Sequence, residues 1–180
     1  MVAHDELVGA LLEAQRLGMI GPGPIDAAVE HAGWFVEALQ PLAAGSTVVD
    51  LGSGGGLPGL VLAAQRSDLS LLLIDRRQKR ADFLRRMIRR LGFDHVEVSD
   101  DDVGVLARRC TARFDAVTAR GFGPPEVTLR LSVELTRPGG MIVISEPPDG
   151  DRWQPDMVEA FGLERCRIGA VQRFMLPLAP

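Results

Sequence analysis

The spacing of apolar positions changes once along this chain. Up to about residue 45 they recur at helical intervals. Within 3–17, Leu7, Leu11, Leu12 and Ala14 can share one face of a helix. Gly18 and Gly21-Pro22-Gly23-Pro24 interrupt that pattern. A second helix is predicted over 25–39, with Ala28, Val29, Ala32, Phe35, Val36 and Leu39 apolar. From Ser46 onward, short apolar runs alternate with helical stretches. The runs at 47–51, 70–74, 96–98, 114–118 and 141–145 read as strands, with helices over 58–65, 78–91, 103–109 and 126–135. This alternation predicts an α/β fold with a mostly parallel sheet and helices on both faces. Two more runs, 162–168 and 171–176, surround Gly169-Ala170 and predict an antiparallel hairpin at the sheet edge. Residues 1–45 are too few for a domain of their own. They are expected to cap the sheet built from residues 46–180, giving one compact domain.

Composition narrows the class. Hydrophobic residues at 46% and charged residues at 24% are ordinary for a globular chain. No apolar run approaches the roughly 20 residues of a membrane helix. Asp5 and Glu6 stand where a secretory leader would be basic, so the expected location is cytoplasmic, without a membrane partner. Cys110 and Cys166 form no CxxC and are expected to be buried thiols. His4, His31 and His95 form no cluster, so no metal site is predicted. No nucleophilic Ser/His/Asp or Cys/His pattern is legible, and no catalytic residue is assigned.

Charge changes the picture by its distribution. The net charge of −4 argues against a surface wholly given to nucleic acid. Yet eight of the 20 basic residues fall between Arg76 and Arg90, and only Lys79 is lysine. On the helix over 78–91, Phe83, Leu84, Met87, Ile88 and Leu91 form one face and Arg85, Arg86, Arg89 and Arg90 the other. Two readings stay open for those arginines: a solvated face, or a phosphate-contact stripe.

The candidate chemistry centres on VVDLGSGGGLPG, residues 48–59. A buried strand end runs into five glycines within eight residues, and a helix follows. Such a turn leaves N–H groups free and lets a nucleotide-like ligand approach the backbone. Gly52, Ser53, Gly54 and Gly56 are the candidate contacts, but Gly54-x-Gly56-x-x-Gly59 also fits a dinucleotide fingerprint. Asp50 beside the turn favours a ligand bearing an ammonium or sulfonium over a pyrophosphate. Asp75, ending the next strand with Arg76 beside it, suits a ribose hydroxyl pair or a helix cap. One acid of Ser99-Asp100-Asp101-Asp102, Asp102 being nearest the next helix, could accept from an adenine amine, or the run is an exposed acidic loop capping the helix from Val103. Arg120, at the end of the fourth strand, is placed for a ligand carboxylate, a substrate phosphate or a structural salt bridge.

These segments carry a resemblance. VVDLGSGGGLPGLVLA, LLLIDRRQKRADFLRR and FDAVTARGFGPPEVTLRLSVELTRPGG are similar, in that order and spacing, to the small-subunit ribosomal RNA guanine-N7 methyltransferases, the glucose-inhibited division protein B family. The resemblance covers about 48–140 and extends to Glu30-His31. It implies a Rossmann-like class I methyltransferase with seven strands, S-adenosylmethionine as cofactor, and N7 of a guanine in 16S ribosomal RNA as acceptor. It implies further that Gly52 and Leu57 meet the methionine and sulfonium part, Asp75 the ribose, Val103 and Gly104 the adenine, and that Arg120 is the family's ligand-binding arginine. Ribosomal RNA or the small subunit would be the partner of a monomeric enzyme. The chain departs from the family pattern at Asp101-Asp102-Val103-Gly104 and at Ser145-Glu146-Pro147-Pro148. It also lacks a lysine- and asparagine-rich N-terminal stretch. Each departure removes positive charge or adds negative charge. A small-molecule or protein acceptor, or a cofactor-binding module without turnover, therefore stays open on the sequence.

Overall fold

The computed structural model of the chain describes residues 4–147 and 152–178. Pro148 of the Glu146-Pro147-Pro148 departure, and the first residue of the helix expected over 3–17, lie outside them. The order of elements is α1 (His4–Arg16), α2 (Ile25–Ala38), β1 (Thr47–Leu51), α3 (Gly59–Gln65), β2 (Ser70–Ile74), α4 (Gln78–Leu91) and β3 (Val96–Ser99). There follow α5 (Val103–Arg109), β4 (Phe114–Ala119), α6 (Pro125–Leu135), β5 (Thr136–Ser145), α7 (Pro155–Ala160), β6 (Glu164–Ile168) and β7 (Val171–Met175). No helix among the described residues is long and apolar enough to cross a membrane.

The seven strands form one sheet in the order β3-β2-β1-β4-β5-β7-β6. The first five are parallel, and β7 pairs antiparallel with both β5 and β6. The expected α/β architecture and the closing hairpin are therefore both present. The chain leaves β1 in one direction to build β2 and β3 and in the other to build β4 and β5. That reversal opens a crevice at the carboxyl ends of β1 and β4, where open α/β sheets bind ligands.

Strand alternation divides the core into two halves. Val48, Leu71, Leu73, Ala116, Met141 and Val143 pack under α1 to α4. Val49, Leu51, Ile74, Val117, Ala119, Ile142 and Ile144 pack on the opposite face with residues of α5, α6 and α7. Helix ends follow local chemistry. Asp102 caps α5 by accepting the Gly104 N–H at 2.9 Å. Gly92 ends α4 in the left-handed conformation, φ 67°.

Helices α1 and α2 are tied to the rest by specific contacts. The Arg66 guanidinium donates to the Leu39 and Leu42 carbonyls and pairs with Asp68. A Cβ built on Gly169, in the β6–β7 turn, would lie 2.2 Å from the Trp34 ring of α2. One built on Gly55, in the glycine turn, would lie 2.5 Å from Ile20. The helical pair is thus seated on both the hairpin and the turn.

Three expectations need correction. Cys110 is half-buried and Cys166 exposed, so neither is a buried thiol; β6, which carries Cys166, is an edge strand open on one side. Strand β5 begins at Thr136 rather than at the expected Met141, running through Pro138-Gly139-Gly140 with an irregular register against β4. Helix α7 was absent from the sequence reading, being one and a half turns long without a full period of apolar positions.

Candidate functional site

A cleft of about 770 Å³ opens at the carboxyl ends of β1, β2 and β4. Its walls include Gly52, Asp75, Arg76, Asp102, Val103 and Gly104, six of the residues singled out from the sequence. The β1–α3 turn forms one side. Gly52 and Gly54 take φ 66° and 57°, which admits a short turn that side chains resist. The Ser53 N–H donates to the Ile74 carbonyl at 2.9 Å, which sews the turn to the end of β2. The Gly54 N–H donates to Asp75 Oδ2 at 3.0 Å.

Asp75 is 6% exposed and its carboxylate also accepts the Arg77 N–H on Oδ1 at 3.0 Å. It is not the N-cap of α4, a place held by Arg77. Each oxygen holds one backbone hydrogen bond and so has capacity for another, and Asp75 lines the cleft, where a vicinal diol would find two acceptors. Arg80 Nη1 lies 3.6 Å from Oδ2. Opposite, Asp102 is fixed by its capping bond and pairs loosely with Arg76 at 3.7 Å, both groups being exposed. Val103 and Gly104, the first residues of α5, line the floor of the cleft.

The other six predicted residues do not line this cleft. Ser53, Gly54, Gly56 and Leu57 lie in or beneath the turn. A Cβ on Gly56 would strike Leu60 at 2.4 Å, and one on Gly54 would face Arg80 and the Met19 carbonyl. Their conformation and packing, rather than open ligand space, demand glycine there. Asp50 and Arg120 sit behind the turn, on the sheet face covered by α2 and α3. Asp50 is 2% exposed; its Oδ1 accepts the Thr118 hydroxyl at 2.8 Å, and its Oδ2 has no hydrogen-bond partner. Burial pushes its carboxyl up to about 6, while Ser53, Thr118, the nearby Gly59 amide and Arg120 pull it back. Arg120 Nη1 is likewise buried and unpartnered. Burial draws the guanidinium below its usual range, offset by Asp50.

Several wall residues had no separate signal in the sequence. Phe122 packs so closely on Gly52 that a Cβ there would lie 2.8 Å from the ring. It stands in the loop Gly121–Gly123, whose sequence reads only as a glycine-rich connection. Val127, Arg130, Leu131 and Glu134 add a face of α6, and Arg108 a face of α5. Their helical spacing was visible, but not that the face meets a cleft.

The arginine stripe of α4 is largely engaged. Arg85 pairs with Asp82 and Asp100, and Arg86 and Arg90 both pair with Glu13 of α1. Glu146, one of the acidic departures, is buried and turned inward, where it accepts the Trp153 indole N–H.

With this geometry in hand, comparison with known proteins decides the family. The profile of the rRNA small subunit methyltransferase G family matches residues 29–146. The chain belongs to the rRNA small subunit methyltransferase G family. Among its relatives, the Ribosomal RNA small subunit methyltransferase G of Sorangium cellulosum is 40% identical over 79% of this chain and 59% of its own length. That of Acidothermus cellulolyticus is 39% identical over 70% of this chain and 55% of its own. The chain thus matches a little over half the length of these methyltransferase G relatives. The fold is shared more widely. SpnF, a [4+2]-cyclase, superposes with a TM-score of 0.72 at 17% identity, over 97% of this chain and 94% of that one.

Proposed function

We propose that this chain binds S-adenosylmethionine in the cleft and directs its methyl group to N7 of a guanine in small-subunit ribosomal RNA, in the cytoplasm. The observation that carries the reading is the Asp75 carboxylate. It is buried at the end of β2, held by two backbone N–H groups, and faces the cleft beside the Gly52 turn and the Val103-Gly104 floor. A family match covering residues 29–146 stands behind it. The fold by itself leaves the chemistry open, since SpnF shares it as a cyclase.

The residues fit an S-adenosylmethionine-type cofactor. Asp75 would accept from both ribose hydroxyls, and Val103 and Gly104 would border the adenine. Asp50 Oδ2 and Arg120 Nη1, buried without hydrogen-bond partners behind the turn rather than on the cleft walls, would offer an acceptor for an ammonium and a donor for a carboxylate to an amino-acid end reaching past Gly52. The cofactor, when bound, supplies a methyl group activated by its sulfonium. Guanine N7 carries a free lone pair, so the chain needs to remove no proton before transfer. Its work would be to position the acceptor and to exclude water. Glu146, an acid that would oppose an RNA acceptor, is buried against Trp153 rather than presented to the cleft.

The test has two parts. Calorimetry with S-adenosylhomocysteine should give a saturable isotherm with one site. Small ribosomal subunits from a strain lacking the family enzyme should then gain one 7-methylguanosine, read by nuclease digestion and mass spectrometry. Binding without methylation of the subunits would favour a small-molecule or protein acceptor. Binding of NAD with no binding of S-adenosylhomocysteine would sink the cofactor assignment.

A further inference from the structure

Three buried polar atoms lack hydrogen-bond partners on β1, on α2 and just past the end of β4: Asp50 Oδ2, His31 Nδ1 and Arg120 Nη1. Strand alternation explains their meeting. Asp50 of β1 stands beside Thr118 of β4 in the parallel register, and its Oδ1 holds the Thr118 hydroxyl. Arg120 follows Thr118 by two residues and leaves the sheet on the same face. That face also carries Val48 and Ala116, which pack under α1 to α4. Helix α3 begins over Asp50, since a Cβ on Gly59 would lie 2.9 Å from Oδ2. Helix α2 lies against α3, and its His31 is close enough to Arg120 to feel the guanidinium charge. Arg120 acts electrostatically on both Asp50 and His31.

Such a trio is expensive to leave without partners. Most buried polar side-chain atoms find at least one. A ligand end carrying both charges would satisfy all three. Asp50 Oδ2 would accept from its ammonium, Arg120 Nη1 would donate to its carboxylate, and a neutral imidazole protonated on Nδ1 would donate to the other carboxylate oxygen. His31 is suited to the neutral form, because burial first, and then the neighbouring guanidinium, disfavour its cation. Its ring is also steadied against Phe35, with centroids 6.1 Å apart.

We propose that His31 of the N-terminal helical pair is a cofactor-contact residue, which together with Arg120 and Asp50 reads the zwitterionic amino-acid end of the cofactor. This rests on the S-adenosylmethionine reading and adds to it a selectivity for the amino-acid end, contributed by α2 from outside the glycine turn. Helices α1 and α2 would then be part of the binding site as well as a cover for the sheet.

Two ligands separate this role from a structural one. S-adenosylhomocysteine carries the amino-acid end; 5′-methylthioadenosine has the same adenosine and thioether without it. In calorimetry, His31→Ala and His31→Asn should weaken S-adenosylhomocysteine by about tenfold or more, the scale of a lost hydrogen bond to a charged group. They should change 5′-methylthioadenosine less than twofold. Equal losses for both ligands, or no loss for the first, would overturn the proposal. A wild-type measurement covers the case in which the variants fold poorly. With 15N-labelled histidine, and resonances assigned through His4→Asn and His95→Asn, the His31 imidazole should shift with S-adenosylhomocysteine and stay in place with 5′-methylthioadenosine. If the wild type binds S-adenosylhomocysteine and the His31 resonance does not distinguish the two ligands, His31 has no such role. If the wild type binds neither, the cofactor assignment fails and takes this one with it.

Discussion

Asp50 and Asp75 are two buried carboxylates 25 positions apart with opposite surroundings. Asp50 has one full hydrogen bond, from the Thr118 hydroxyl, with Ser53 and the Gly59 amide as weaker donors nearby, and burial pushes its carboxyl up to about 6. A raised carboxyl pKa means that the folded chain favours the neutral acid. Its contribution to stability is complete below the unfolded value near 4 and is lost as pH rises through about 6. The loss is on the order of 3 kcal/mol, at about 1.4 kcal/mol per unit. Asp50→Asn stays neutral throughout. Urea denaturation should therefore show its stability gaining on the wild type by about 2–3 kcal/mol between pH 4 and pH 8. Carboxylates with lowered pKa, such as Glu13 and Asp68, occur in both proteins and cancel in the difference. A difference that is flat with pH would show that Asp50 is not desolvated as described. Asp75 behaves otherwise, since it is tied to two N–H groups. Asp75→Ala leaves those donors without partners, at a cost of about 1–3 kcal/mol in stability. It should also weaken S-adenosylhomocysteine at least tenfold, because the ribose diol loses its acceptor. The place of Asp75 at the cleft was legible because an acid ending an apolar run is a local pattern. The environment of Asp50 was not, since it comes from β4 and α3.

Most elements announced themselves. The strands at 47–51 and 70–74 and the helix at 78–91 have the bounds that apolar spacing predicts, because each is buried on the pattern it displays. The misses share a cause. In β5, Pro138, Gly139 and Gly140 look like a break, yet the strand continues through an irregular register against β4. The seating of α2 on the hairpin was also invisible, since it depends on one glycine meeting one indole. Gly169 has φ 53° and no room for a Cβ beside Trp34. Gly92 has φ 67° and open space around it. Both positions to alanine incur the left-handed penalty of about 1–2 kcal/mol. Only Gly169→Ala must also displace Trp34, for about 1–3 kcal/mol more. Equilibrium unfolding of both variants should show that gap, and the Trp34 emission should change only in Gly169→Ala. Equal costs would mean that the α2–hairpin contact is loose.

On the scale of the whole molecule, the acidic total and the basic cluster point in different directions, and the fold reconciles them. The sequence offered Arg85, Arg86, Arg89 and Arg90 as a stripe for RNA. Folding spends three of them on Asp82, Asp100 and Glu13, partners that no sequence window contains together. Around the cleft the balance differs. Arg77 and Arg108 are exposed on its walls and make no ion pair with another described side chain. They stand near the position proposed for the cofactor, where RNA phosphates flanking the acceptor base would pass. Two phosphate contacts on single-stranded RNA give a log–log dependence of affinity on salt with a slope of about −1.4. The KM for RNA in methyl transfer should therefore rise several-fold between 50 and 200 mM salt, while the S-adenosylhomocysteine affinity stays within about twofold, as expected for a ligand held in a buried site. Arg77→Ala with Arg108→Ala should flatten that slope by about 1.4, whatever their effect on S-adenosylhomocysteine affinity measured alongside. Arg86→Ala with Arg90→Ala should leave the slope as it is, because those side chains already neutralise Glu13. If the second pair flattens the slope and the first does not, RNA runs along α4, and the ion pairs to Glu13 open to receive it.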